Sequence, residues 1–129
     1  MKNFGASVKR ILVVDDEENV RRLVRSMLGK ENVVIEAEDG EVAVHMAQSH
    51  NPDFILMDIM MPNMDGYTAC CTIKKDPATK VIPVVMLTAL GHELNVKLSQ
   101  AMGADGYINK PFSHQDLLDT IDRFLKSPE

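Results

Sequence analysis

Five side chains in this sequence have the types and placements that could hold and move a phosphoryl group. Asp15 and Asp16 stand side by side directly after the aliphatic run Ile11–Val14, inside "ILVVDDEENVRRLV". Asp58 closes a second apolar run, "DFILMD" at 53–58; Thr88 follows a third, "IPVVML" at 82–87; Lys110 follows a fourth, "DGYIN" at 105–109. Three carboxylates within several ångströms of one another would raise each other's pKa values and destabilise a fold unless a cation sat among them. A hard, oxygen-preferring divalent ion that keeps part of its water, Mg²⁺ above all, meets that need. A nearby ammonium and hydroxyl complete what phosphoryl transfer to an aspartate requires: metal and ammonium neutralise phosphoryl oxygens, and the hydroxyl hydrogen-bonds another. An Asp after an apolar run is also a common helix N-cap, and for Asp15 alone that plainer reading suffices. A site requires all five to meet.

Whether they meet depends on the elements that carry them. Ile11–Val14 is a continuous apolar run, after which Val20, Leu23, Val24, Met27 and Leu28 recur at helical spacing. Gly29 and Lys30 close that helix, "VVIEA" at 33–37 is short and β-branched, and Val42, Ala43, Met46 and Ala47 resume a helical stripe after the turn at Asp39-Gly40. The run at 53–58 is the third strand, and "MPNMDGY" at 61–67 is turn chemistry leading into a helix through Ile73. Pro77 breaks the chain before the fourth run at 82–87, and Leu94, Leu98, Ala101 and Met102 make a weaker helical stripe. The fifth run is 105–109, and Leu117, Leu118, Ile121, Phe124 and Leu125 form a clean amphipathic last helix.

Five short strands alternating with five helices predict an α/β fold with a parallel sheet covered on both faces, because parallel neighbours need right-handed crossovers. In this length the pattern fits a flavodoxin-like, doubly wound (βα)5 domain with strand order 2-1-3-4-5. Strands one and three are then neighbours, and ligands bind at the carboxyl ends near the switch point. Asp15, Asp16 and Asp58 are expected on that edge, with Thr88 and Lys110 facing them.

The bulk numbers agree with one globular domain, 1–129: 129 residues, 45% apolar and 26% charged. A net charge of −5, with no Lys/Arg run longer than two, disfavours direct nucleic-acid contact. "MKNFGASVKR" has no signal-peptide run and no segment reaches membrane-spanning length, so a cytoplasmic chain with no membrane contact is expected. Adjacent Cys70 and Cys71 suit small buried or half-buried helix positions rather than a disulfide framework or zinc site. His45, His50, His92 and His114 lack the spacing that puts two imidazoles on one helix face and read as surface or helix-end residues. "HELNV" at 92–96 has Val96 where a zinc motif needs its second His.

The sequence resembles the receiver domain of bacterial two-component response regulators over residues 9–126. The resemblance is carried by "ILVVDDE" at 11–17, "PDFILMDIMMPNMDGY" at 52–67, "PVVMLTA" at 83–89 and "GADGYINKPF" at 103–112. It implies that Asp58 is the phosphoacceptor, that Asp16 and Asp58 bind Mg²⁺ by side chain, Met60 by its backbone carbonyl and Asp15 through metal-bound water, and that Thr88 and Lys110 hold the phosphoryl group. It makes Tyr107 an aromatic switch that follows Thr88 and alters the face of helix four, strand five and helix five; a strand residue that merely packs is the other reading. Lys110-Pro111 looks like the family's cis peptide, and Pro62 and Gly66 shape the loop after Asp58.

The partners so implied are a histidine kinase or phosphotransfer protein, meeting the exposed side of helix one at Arg21, Arg22 and Arg25 and the loop after strand five, and a downstream protein or effector domain. A monomer is expected, and the resemblance is compatible with phosphorylation-dependent dimerisation through the helix-four face. Such a domain assists its own phosphorylation and dephosphorylation and is a signalling module rather than an enzyme proper. Met60 and Leu90, two residues beyond Asp58 and Thr88, offer an attacking water no polar group, so a long-lived phosphoryl group is expected. The match fits both a stand-alone receiver and a piece of a longer regulator or hybrid kinase.

Three rivals are weaker. A haloacid-dehalogenase-type phosphatase needs Asp-x-Asp on strand one, where this chain has Asp15-Asp16-Glu17. A flavin-binding electron carrier needs neutral donors after strand one, and "DDEEN" would repel its phosphate. A receiver-like module that is never phosphorylated has no reason to carry the full set of acids, Thr and Lys.

Overall fold

Among the described residues ten elements alternate: β1 Arg10–Val14, α1 Glu18–Leu28, β2 Val33–Ala37, α2 Gly40–His50, β3 Phe54–Asp58, α3 Gly66–Lys75, β4 Val84–Ala89, α4 Glu93–Ala101, β5 Gly106–Lys110 and α5 His114–Leu125. The computed structural model describes residues 8–89 and 93–125, and the side chains of 89 and 93–96 are not described. The expectations for residues 1–7, Leu90, His92 and residue 126 lie outside the described residues. The five strands form one parallel sheet in the order β2-β1-β3-β4-β5, the flavodoxin-like order expected for five strands in this length.

The inner strands read as unbroken apolar runs because both faces are covered. Side chains alternate between faces along a strand. Leu12, Val14, Ile55, Met57, Val84 and Met86 join Ala43, Ala47, Ala69, Cys70 and Ile73 of α2 and α3 in one core. Ile11, Val13, Phe54, Leu56, Val85 and Leu87 join Val24, Leu28, Leu117 and Ile121 of α1 and α5 in the other. Each aliphatic side chain so buried contributes about 1.5–3 kcal/mol of transfer free energy. Burial pushes the Cys70 thiol up to about 11, so it packs as a small apolar group, and Cys71 is half-buried. His45, His50 and His114 are exposed on or at the ends of helices, as expected. No helix among the described residues is long and apolar enough to cross a membrane.

Three local expectations need correction. The fourth strand runs 84–89 rather than 82–87. The Ile82 carbonyl is taken by Lys74 Nζ at 2.8 Å and Pro83 has no N–H to donate, so the strand begins at Val84. The fifth strand is likewise shifted, to 106–110, because Asp105 spends its carboxylate on the Val84 N–H and on Lys74, both at 2.8 Å. On α1 the buried stripe is narrower than its apolar spacing suggests: Val24 and Leu28 are buried, whereas Leu23 is exposed.

The loops at the carboxyl edge are tied down by side chains. Asp39 caps α2 by accepting from the Val42 N–H at 2.9 Å, and its other oxygen accepts from Asn63 Nδ2 at 2.8 Å in the loop after β3. The Gly40 N–H donates to the Met64 carbonyl at 2.9 Å, closing the same seam. Ser113 and Asp116 make a reciprocal capping box at the start of α5, with 3.0 and 3.1 Å bonds.

Asp39→Ala is expected to cost about 1–2 kcal/mol, by loss of the cap and of the Asn63 partner, read as a lower urea midpoint. The Val42 N–H, then the Asn63 amide, hold the Asp39 carboxyl below its ordinary 3.8. Its contribution is therefore complete above that value and is lost as pH falls through the lower folded value, so the stability gap between wild type and Asp39→Asn should narrow in that acid range.

Candidate functional site

The sheet order brings β1 and β3 side by side, and both end in acids at the carboxyl edge. Oxygens of Asp15, Asp16 and Asp58 all lie within 4.8 Å of one another. Asp15 is fully buried, Asp58 nearly so, and Asp16 is exposed. Lys110, at the end of β5, reaches across to donate to Asp58 Oδ1 at 2.9 Å and to Asp15 Oδ2 at 3.1 Å. Four of the five residues singled out by type thus form one cluster.

Asp15 is held on every side. Its Oδ1 accepts from the Glu17 N–H at 2.9 Å, its N–H extends the β1–β2 ladder to the Ala37 carbonyl, and its own carbonyl accepts from Arg21 Nη1 at 2.7 Å. It does not cap α1: the N-cap position is Glu17, without a side-chain cap bond, whereas Asp39 and Asp65 do cap α2 and α3. Arg21 is largely buried, with Nε on Glu36 Oε1 at 2.8 Å, and Arg25 also pairs with Glu36. The expectation that Arg21 lies on the exposed side of α1 is therefore corrected, whereas Arg25, though paired, is exposed as expected. Arg22 remains outward, paired with Glu18 one helical turn away.

Asp58 sits where the next segment folds back over it. The Gly66 N–H donates to the Ile59 carbonyl at 2.8 Å, and a Cβ added at Gly66 would stand 2.1 Å from the Asp58 carbonyl oxygen. Only glycine fits this approach. Met60, two residues past Asp58, turns its side chain to solvent.

One ammonium is shared by two carboxylates, and this sets the electrostatics. Burial pushes the Asp58 carboxyl up and the Asp15 charge adds to the rise, against the opposing Lys110 hydrogen bond. Burial works against the Lys110 ammonium too, but the hydrogen bond to Asp58 and the charges of Asp58 and Asp15 outweigh it and raise its pKa. The two directions are compatible: the cation gains from both anions, while Asp58 shares its cation and faces a like charge.

Thr88 is the fifth residue, buried at the end of β4 one position beyond the register partner of Asp58. Its hydroxyl is not on Asp58 but donates to Asn109 Oδ1 at 2.9 Å. Tyr107 lies half-exposed on β5, two residues before Asn109 and so on the same face, beside a groove shared with α5 residues Asp116, Asp119 and Arg123. The Lys110-Pro111 peptide is cis, as the resemblance implies. The roles of Arg21 and Asn109 were not legible from periodicity; the only signal for Asn109 is that an amide is an unusual strand residue.

The family model described as "Response regulator receiver domain" matches residues 11–122. Over 118 residues the chain is 43% identical to the transcriptional regulatory protein ResD of Bacillus subtilis, covering 91% of this chain and 48% of that protein. It is 42% identical over 118 residues to the chemotaxis protein CheY of Halobacterium salinarum, covering 91% of this chain and 97% of that one. The chain thus spans about half the length of the transcriptional regulators it matches. The receiver domain of a sensor histidine kinase from Pseudomonas aeruginosa, solved with a magnesium ion coordinated in the active site cleft, aligns with a TM-score of 0.86 at 29% identity, covering 94% of this chain and 100% of that one.

Lys110→Met leaves Asp15 and Asp58 facing each other without a cation and is expected to cost about 1–3 kcal/mol in a urea melt. Adding Asp58→Asn should recover part of that loss, because the two changes act on one contact. Simple additivity of the two would show that the shared ammonium is not what holds this edge.

Proposed function

The chain belongs to the response regulator receiver domain family, and from that premise we propose that it takes a phosphoryl group onto Asp58 from the phosphohistidine of a histidine kinase or phosphotransfer protein, in the cytoplasm, with Mg²⁺ at the acidic cluster. The observation that carries this reading is the position of Asp58: a nearly buried carboxylate in hydrogen-bond reach of Lys110 and within 4.8 Å of two further carboxylates. The donors fit a hard divalent cation, since they are all carboxylate oxygens and three negative charges face one ammonium. Asp16 and Asp58 would hold the ion by side chain, the Met60 carbonyl would add an oxygen, and Asp15, whose oxygens are spent on Glu17 and Lys110, would act through water. When bound, Mg²⁺ supplies positive charge against the phosphoryl oxygens. The magnesium ion in the Pseudomonas receiver supports the same ion here.

The chain's own residues do the rest. An Asp58 carboxylate oxygen attacks phosphorus in line; the O–P bond forms as the P–N bond breaks, and the electron pair leaves with the imidazole nitrogen. Lys110, already on Asp58, turns its ammonium to a phosphoryl oxygen, and the Thr88 hydroxyl donates to another. Hydrolysis reverses the gain: water attacks phosphorus and Asp58 leaves as a carboxylate. The exposed thioether of Met60 cannot orient that water, so the phosphoryl group is long-lived. Movement of Thr88 and Tyr107 re-forms the α4–β5–α5 face, and a downstream protein or effector domain reads the shifted population. The unphosphorylated domain is a monomer, its helix-four face is the one open to dimerisation on phosphorylation, and it makes no direct nucleic-acid contact.

Incubation with a small acyl-phosphate donor should add one phosphoryl group to the intact mass, with Mg²⁺ required and Asp58→Asn inert. No gain by the folded wild type would contradict the reading. Met60→Asn or Met60→Glu should change the decay rate of the phosphorylated protein, and an unchanged half-life would remove Met60 from the account.

A further inference from the structure

The hydroxyl of Thr88 is occupied. It donates to Asn109 Oδ1 at 2.9 Å across the β4–β5 pair, where the two residues are register partners. Thr88 is 1% exposed, so solvent is a poor substitute acceptor. Alternation places Thr88 on the face of Met86, whereas Asp58 shares the parity of Leu56 on the opposite face. The Thr88 hydroxyl can therefore serve Asn109 or the Asp58 end of the site, but not both. An apolar residue at 109, the ordinary choice for a strand, would offer no side-chain acceptor.

We propose that Asn109 is a positioning residue: it latches the Thr88 hydroxyl away from Asp58 in the unphosphorylated domain and sets how readily Thr88 is released to a phosphoryl oxygen. This deepens the regulation of the site and rests on the reading of Asp58 as phosphoacceptor. A buried hydroxyl that lets go of one partner must gain another, so Thr88 exchanges Asn109 for the phosphoryl group rather than turning freely. Removing the acceptor at 109 destabilises only the resting arrangement, because the phosphorylated one no longer uses it. Asn109 also neighbours Tyr107 on the same face of the edge strand, so its amide is freed beside the groove at α5 at the moment of phosphorylation.

The test uses Asn109→Leu, which keeps the branching and loses the acceptor, and Asn109→Asp, which keeps an oxygen in place. Asn109 is exposed, so neither change disturbs the core. Three-bond couplings to the methyl group of labelled threonine report the Thr88 rotamer in the unphosphorylated protein. One rotamer is expected in wild type and Asn109→Asp, and averaging between rotamers in Asn109→Leu. With acetyl phosphate and Mg²⁺, the initial rate of phosphoryl uptake should rise about twofold to tenfold in Asn109→Leu, the range that loss of one hydrogen bond allows. In a Thr88→Ala background the same substitution should leave the rate unchanged. A wild-type rotamer in Asn109→Leu, or a rate gain that persists without the Thr88 hydroxyl, overturns the latch while the phosphoacceptor reading stands. A wild-type protein that takes up no phosphoryl group overturns that reading and the gating with it, and the rotamer populations still decide whether Asn109 holds Thr88.

Discussion

The ammonium of Lys110, set between the carboxylates of Asp15 and Asp58, is the interaction on which the site depends. Two acids at the ends of neighbouring parallel strands repel each other in a partly dry edge, and a single cation reaching from the last strand makes their proximity tolerable. The balance is deliberately incomplete in its chemistry: with Asp16 present, negative charge still exceeds positive. In the proposed function that excess would draw a divalent cation, and the cation would let a dianionic phosphoryl group settle on Asp58. Metal, lysine and phosphoryl group would then be linked by one charge balance.

Holding this arrangement is the task of backbone contacts at the same edge. Arg21 pins the Asp15 carbonyl, Gly66 lets the loop after β3 close onto the Asp58 backbone, and the Asp39–Asn63 bond ties that loop to α2. The Ser113–Asp116 capping box fixes the turn that follows Lys110. Each charged side chain therefore projects from a strand end whose next residues are restrained, which keeps the cluster within hydrogen-bond distances. Thr88 is the exception, since its hydroxyl is held by its register partner Asn109 rather than by the acidic cluster.

Much of this was written in the sequence, and for physical reasons. Parallel strands buried on both faces must be continuous apolar runs, so their ends, and the residues Asp15, Asp58, Thr88 and Lys110 that follow or close them, stand out by contrast. The alternation with helices implies a parallel sheet, and five strands in this length fit the order that sets the ends of β1 and β3 side by side. What stayed hidden was whatever depends on long-range partners. Arg21 on an amphipathic helix looks like a surface cation until Glu36 and the Asp15 carbonyl are found beside it. The start of β4 depends on Lys74 claiming the Ile82 carbonyl, and the Thr88–Asn109 bond depends on the register of β4 with β5. Periodicity carries neither. Leu23 shows the opposite limit, an apolar residue at helical spacing that the core leaves exposed.

The most direct measurement of the central claim is the position of the phosphoryl bond itself. Borohydride reduces an aspartyl phosphate, a mixed anhydride, to the corresponding alcohol and leaves free carboxylates untouched. Treatment of the phosphorylated protein, followed by proteolysis and tandem mass spectrometry, should therefore convert Asp58 alone to homoserine. Homoserine at Asp15 or Asp16, or at no acid in a protein that has gained the phosphoryl group, would show that the nucleophile is not the residue that Lys110 and the strand order single out.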